Sequence, residues 1–272
     1  MIRLLVAAGT VFSGAAEAQV GLGLTPLRVE AEARPAGVVS GPLTLSNESS
    51  ARVRFRAELL DFYIDDSATP QFSRAFARES EYSCRNWLSL NPMEAEIEPG
   101  NNVTVRFTLS LPPKTAARGY HCAAGFTTMP TAEQAATGMG LRTAVRMVTA
   151  FYLNTGNPAI EAGLAGLRVE QTGDPKNPVW QAVVILKNWG LRYFRPEGEI
   201  ELFDPAGKVV ESVKVPSMPV LPNREQRLPV PLKTALRQGE YRLRARVNLG
   251  TPEVHEAVAT TVLAAPPGPS SQ

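Results

Sequence analysis

The sequence predicts an all-β chain built as two immunoglobulin-like β-sandwich domains, and three observations carry that prediction. Apolar and polar residues alternate with a period of two over segment after segment, as in strands with one face in a core. The 23 prolines and 21 glycines in 272 residues cut those segments short, and few stretches repeat with a helical period. A Pro/Gly/Asn-rich break, NTGNPAIEAG, separates two series of such segments, which places the domain boundary near residues 154–162. A 44% hydrophobic content allows a core in each half.

Taken in order, residues 1–18 read as a secretion signal. MIRLLVAAGTVFSGAAEAQ has Arg3 in a positive start, an apolar run from Leu4 to Phe12 and a small-x-small site at Ala16-Glu17-Ala18. The apolar run is shorter than the roughly 20 residues that span a bilayer, so a soluble exported chain beginning near Gln19 is expected. The first domain, 19–155, then runs through LRVEAEA, GPLTLSN and ARVRFRAELLDFYI. In the last of these Val53, Phe55 and Ala57 take one face, and Arg52, Arg54 and Arg56 the other. The turn Glu98-Pro99-Gly100 feeds a strand in which Val103, Val105, Phe107 and Leu109 alternate with Thr104, Arg106, Thr108 and Ser110. Pro112 and Pro113 end it, since neither can donate to a ladder. RGYHCAAGFTTM begins the next strand, PTAEQAATGMG is an exposed loop, and LRTAVRMVTAFYL is the last strand of the domain.

The second domain, 156–264, holds seven further segments: AGLRVEQT, VWQAVVILKN, GEIELFD, KVVESVKV, QRLPVPL, GEYRLRARVN and VHEAVATTVLA. Seven strands at this spacing describe an immunoglobulin-like sandwich. The tail, 265–272, is polar and Pro-rich and is expected to be disordered.

Export alters how the cysteines are read. An even number in an oxidising compartment favours a bridge between Cys84 and Cys122, which would contribute roughly 4 kcal/mol through loop closure; a free buried pair is the alternative.

Reactive chemistry is sparse. The two histidines, His121 and His255, fall in different domains, and His121 and Cys122 are strand neighbours that point to opposite faces. No CxxC, HExxH, GxSxG or phosphate-cradling glycine loop occurs, so no enzyme, metal or cofactor is expected, and no small-molecule substrate. A net charge of +2 is too mild to argue for a nucleic-acid partner, and none is expected. Asp61, Asp65 and Asp66 read as a solvated hairpin turn, their spacing lacking the calcium-loop pattern. Two arginine stripes, Arg52/Arg54/Arg56 and Arg242/Arg244/Arg246, are either docking surfaces for anionic lipid headgroups or an acidic partner, or ordinary sheet faces that are solvated or paired with glutamates.

The order of LTPLRVE, LTLSNES, a Trp-Leu-x-Leu-x-Pro stretch, a Pro-Gly turn and a long strand ending AFYL resembles the periplasmic chaperones of pilus and fimbria assembly. The resemblance covers nearly the whole chain after the signal. It implies two immunoglobulin-like domains in an L shape, a pilin-like subunit bound by strand addition, and delivery to an outer-membrane usher. It also implies a periplasmic location and a monomer when free. A structural or adhesive two-domain component of a surface assembly is the alternative.

In that family two basic residues hold the subunit's terminal carboxylate. Arg28 matches the first, and its planar fork suits bidentate contact with a carboxylate. Aligning on Phe151-Tyr152 puts Thr149 where the family has lysine, with Arg146 three residues earlier as a substitute candidate. For the lent strand, Leu141, Val145, Met147, Phe151 and Leu153 form one apolar series, and Arg142, Ala144, Arg146 and Val148 the other. Either the first series fills a subunit's pockets, with Leu141, Val145 and Met147 as contacts, or it faces the chain's own core behind an arginine-guarded edge.

Overall fold

The computed structural model describes residues 21–74, 81–129, 144–174, 178–236 and 239–263. The expected signal segment, Leu141, Arg142, the loop at 130–140 and the tail at 265–272 lie outside the described residues. Strands β1 (Leu22–Thr25), β2 (Arg28–Ala33), β3 (Val38–Asn47), β4 (Val53–Ile64), β5 (Pro70–Ser73), β6 (Leu88–Asn91), β7 (Glu94–Ile97), β8 (Asn102–Ser110), β9 (Gly119–Met129) and β10 (Arg146–Thr155) form the first sandwich. One sheet runs β1-β3-β8-β6; the other runs β2-β10-β9-β4-β5, with β7 also paired to β4. This is the immunoglobulin partition, in which alternate hairpins go to opposite sheets.

The period-two segments form these strands for the reason the sequence gives. Phe55, Val105, Phe107 and Leu109 point inward and are buried with Leu43, Leu45, Phe126, Phe151 and Leu153. The rings of Phe55 and Phe126 meet edge to face at 5.7 Å, as do Phe107 and Phe151 at 5.1 Å. Gly41 sits opposite Phe107, and a Cβ there would fall 2.8 Å from the ring, so that ring's position requires glycine. Gly100, at φ 73°, supplies the left-handed residue of the Pro-Gly turn. Cys84 and Cys122 are joined, their Cα atoms 5.2 Å apart, at the edge of the same core.

LTPLRVE is two strands. The chain turns at a cis Thr25–Pro26 bond, so that β1 pairs antiparallel with β3 while β2 crosses to the opposite sheet and runs parallel to β10. Proline has no N–H to give a ladder, and the crossing falls where that donor is missing.

Strands β11 (Ala162–Thr172), β12 (Val179–Asn188), β13 (Glu197–Phe203), β14 (Val209–Lys214), β15 (Arg224–Pro231), β16 (Gly239–Asn248) and β17 (Val254–Leu263) form the second sandwich. Its sheets run β11-β12-β15 and β14-β13-β16-β17, closed over a core that includes Val184, Leu186, Ile200, Leu228 and Leu243. The chain passes from one pair of sheets to the other between Thr155 and Ala162.

The two sandwiches meet across a third apolar cluster. Leu60, Phe62, Ala123 and Tyr152, on the outer face of the β10-β9-β4 sheet, are buried with Tyr193 and Leu221 from the second sandwich. The Gly119 N–H donates to the Leu191 carbonyl at 2.7 Å, and the Gln226 amide donates to the Asp65 carbonyl at 2.7 Å. Ala68, at the tip of the β4–β5 hairpin, packs against the core of the second sandwich. The hairpin expected to be a solvated turn is therefore a seam element. Asp65 folds the tip by accepting from the Ser67 and Thr69 N–H groups and the Gln71 amide, contacts that hold its carboxyl below its ordinary range. Asp61 lies further back, buried within β4 beside Ser83 and Arg85.

The border of β10 as a candidate functional site

Strand β10 is clamped along its second half and open along its first. Every position from Arg146 to Asn154 pairs antiparallel with β9. On the other border β2 pairs only with Ala150–Thr155, beginning with the Ala150 N–H donating to the Leu27 carbonyl at 3.0 Å. Among the described residues no strand covers Arg146–Thr149 on that border.

The two faces of β10 are both buried, against different neighbours. Met147, Phe151 and Leu153 point into the core of the first sandwich. Val148, Ala150 and Tyr152 point at the seam. Of the two faces weighed from sequence, the apolar series is the one that packs on the chain's own core. Val145 is half-buried just ahead of β10, its carbonyl accepting from the Thr128 N–H and its N–H donating to the Thr128 hydroxyl, and Met147 is half-buried at the rim of the core.

Thr149 is wholly buried and donates to the Pro26 carbonyl at 2.8 Å. Its side chain offers nothing to a partner, which corrects its inclusion among surface contacts. An ammonium at an interior position of this kind would be desolvated, so a threonine tied to the backbone is what the site permits. Arg146 is on the opposite face, its guanidinium 2.6 Å from Glu58 Oε1, and Glu58 is also 3.4 Å from Arg74. From Ala150, beside Arg28, it is about 13 Å back along the strand.

Arg28 opens β2 next to Ala150 and therefore shares the face of β10 that turns to the seam. Its Nε is 3.3 Å from Glu30 Oε1, and the Nε of Arg195, from the second sandwich, is 3.0 Å from the same oxygen. Arg195 also donates to the Ser217 carbonyl at 3.0 Å and lies 5.0 Å from the centre of the Tyr152 ring. Burial raises the phenol of Tyr152, against the opposing pull of Arg195, and raises that of Tyr193 to about 12. Both phenols stay neutral, and the charge at this end of the seam belongs to Arg28, Arg195 and Glu30.

Backbone likeness is all that comparison with known proteins finds. No family model and no curated protein sequence matches the chain. Among solved structures it is similar to the class 5 fimbriae chaperone CfaA, at 10% identity over 90% of this chain and 100% of that one, with a TM-score of 0.45. A chain of the CsuC–CsuE chaperone–tip adhesion subunit complex of Acinetobacter baumannii aligns at 13% identity over 87% and 98%, with a TM-score of 0.44. A PapD-like domain of human CEP192 aligns at 10% over 56% and 97%, with a TM-score of 0.35.

The sequence reasoning missed Glu30, Tyr152, Tyr193 and Arg195. The one local signal was the basic-aromatic run Arg192-Tyr193-Phe194-Arg195 between β12 and β13. The arginine stripes resolve into sheet-face pairs: Arg52 with Glu96 and Glu98, Arg54 and Arg56 with Glu94, Arg244 with Glu201, and Arg246 with Glu199. Arg242 stacks on Phe203 at 4.5 Å. Among the described residues no group of three or more His, Cys, Asp or Glu could hold a metal ion.

Proposed function

We propose that this chain is a periplasmic escort for exported β-rich subunits of a pilus or fimbria, held by strand addition until an outer-membrane usher takes them. The observation that carries the reading is the half-open border of β10. A foreign extended segment laid beside Arg146–Thr149 would continue in line with β2 and find a ladder already held in shape by β9. Main-chain hydrogen bonds supply affinity in such a pairing and side-chain pockets supply register.

In this reading Val145 and Met147 are the apolar contacts at the rim and Arg28 is the carboxylate anchor. Arg28 suits that task because it lies at the end of the open border with half of its side chain exposed. Arg146 contributes only after leaving Glu58, and Leu141 would extend the same contact series.

The test is a photo-crosslinking residue at position 147, expressed in the native host, with position 210 on β14 as control. An adduct with one small exported β-rich protein at 147, absent at 210 and weakened by Arg28→Ala, is expected. An adduct unaffected by Val145→Asp, or none at all, refutes the escort role. Recovery of the chain itself inside purified surface fibres supports the structural reading instead.

A further inference from the structure

Three of the four sheet borders in the second sandwich carry a guard against pairing with another chain. Strand β11 has a bulge between Leu164 and Gly166 and bears Arg168 and Glu170. Strand β15 holds Pro229 and Pro231. Strand β14 meets β13 in a broken register and bears Glu211 and Lys214. Bulges, prolines and charges are the usual means of keeping a free edge from recruiting a partner.

The fourth border, β17, has neither bulge nor proline, and among its described outward residues only Glu256 is charged. It pairs with β16 in unbroken register over its whole length, and β11 of the facing sheet approaches it without joining its ladder. Its outward residues are Val254, Glu256, Val258, Thr260 and Val262, and the three valines are 61%, 57% and 72% exposed. Ten residues of straight, mainly apolar edge is a surface that normally has a partner.

The pattern of residues names the partner. About Val258 the outward side of β17 reads the same in both directions except at one pair. Val254 mirrors Val262, Glu256 mirrors Thr260, and Val258 mirrors itself. The inward side mirrors Ala257 with Ala259 and His255 with Thr261. Moving the axis one residue either way sets Val258 against Glu256 or against Thr260. Only the axis at Val258 puts every valine on a valine and no like charges opposite each other.

We propose that two copies of this chain pair their β17 borders antiparallel across a two-fold axis at Val258, joining two four-stranded sheets into one continuous sheet. This replaces the monomer expected from the sequence, and it does not depend on the escort reading, which concerns a border of the first sandwich. A symmetric antiparallel pairing is isologous and self-limiting, so it covers the edge without building fibres.

Sedimentation of the purified chain over a wide concentration series tests it, with circular dichroism confirming that the variants, all at exposed positions, keep the fold. A monomer–dimer equilibrium is expected. Val258→Lys sets two ammonium groups against each other on the axis and should weaken the dimer by roughly tenfold or more. Thr260→Lys faces Glu256 of the other copy twice over and should tighten it by about threefold to tenfold. Val258→Cys should oxidise to a covalent dimer, since no other free cysteine competes, whereas Val254→Cys should not. A chain that stays monomeric throughout, or a dimer indifferent to both lysine variants, overturns the proposal.

Discussion

Replacing His121 with glutamine should abolish most of the loss of stability that this protein undergoes between neutral pH and pH 5. His121 is wholly buried beneath the seam, with the Phe62 ring 5.0 Å away and a hydrogen bond to the Phe62 backbone. Burial lowers its pKa from 6.5 to about 4, although the nearby Asp61 carboxylate pulls the other way. The unfolded chain therefore takes up a proton near pH 6.5 that the native state refuses until about pH 4. The stability tied to the neutral imidazole is complete above 6.5, declines as the pH falls, and levels off below 4. Linkage puts the loss at about 2 kcal/mol by pH 5 and about 3 kcal/mol by pH 4. The carboxyls of Asp65, Glu94, Glu170 and Glu211 are also held low, but the stability they hold is lost mainly below pH 5, so most of the change from about pH 7.5 to 5 belongs to the histidine. Urea unfolding of the parent and of His121→Gln at several pH values reads the slope directly. The variant's stability at neutral pH can fall by a kilocalorie or so without affecting that slope. If both proteins lose the same 2 kcal/mol or so on acidification, the proton goes elsewhere and the assignment to His121 is wrong.

Two further predictions concern what holds the sandwiches together. Replacing Cys84 and Cys122 by serine releases the loop between them and should lower the unfolding free energy by roughly 4 kcal/mol, measured in denaturant without reductant. Leu221→Ala empties a buried site shared by both sandwiches and should cost about 2–4 kcal/mol, with calorimetry showing the two sandwiches melting further apart than in the parent.

The fold was legible because most strands bury one face and leave the other in water. Val53, Phe55 and Ala57 against Arg52, Arg54 and Arg56 is such a case, and the pairing of those arginines with Glu94, Glu96 and Glu98 accounts for their outward face. Strand β10 was harder because Val148, Ala150 and Tyr152 are covered by the second sandwich while Met147, Phe151 and Leu153 are covered by the first. A strand buried on both sides loses the alternation that would say which side is which. The break at Pro26 is marked twice in LGLTPLRVE: the apolar positions shift phase from Leu22 and Leu24 to Leu27 and Val29, and Pro26 lacks the N–H of a ladder. Arg195 stands opposite Glu30 only because the seam closes, and nothing local in either segment records the other.

The seam bears on function through stiffness. A strand that is lent to a partner loses affinity if it must first be ordered, because that entropy is charged against the contact. From Ala150 to Leu153 β10 is fixed by β9, by β2, by the first core and by the second sandwich. Thr149 is the last position of the open border before β2 takes over, its hydroxyl bonded to the carbonyl at which the chain turns toward β2. Ahead of it, Arg146–Val148 keep β9 and lose only β2. The open border thus extends a segment held on both borders and both faces, and on the escort reading proposed above an incoming segment would meet a template already in register. If the proposed escort role holds, loosening the seam by Leu221→Ala should therefore lower the yield of the crosslinked adduct at position 147 even though Leu221 is not on that border.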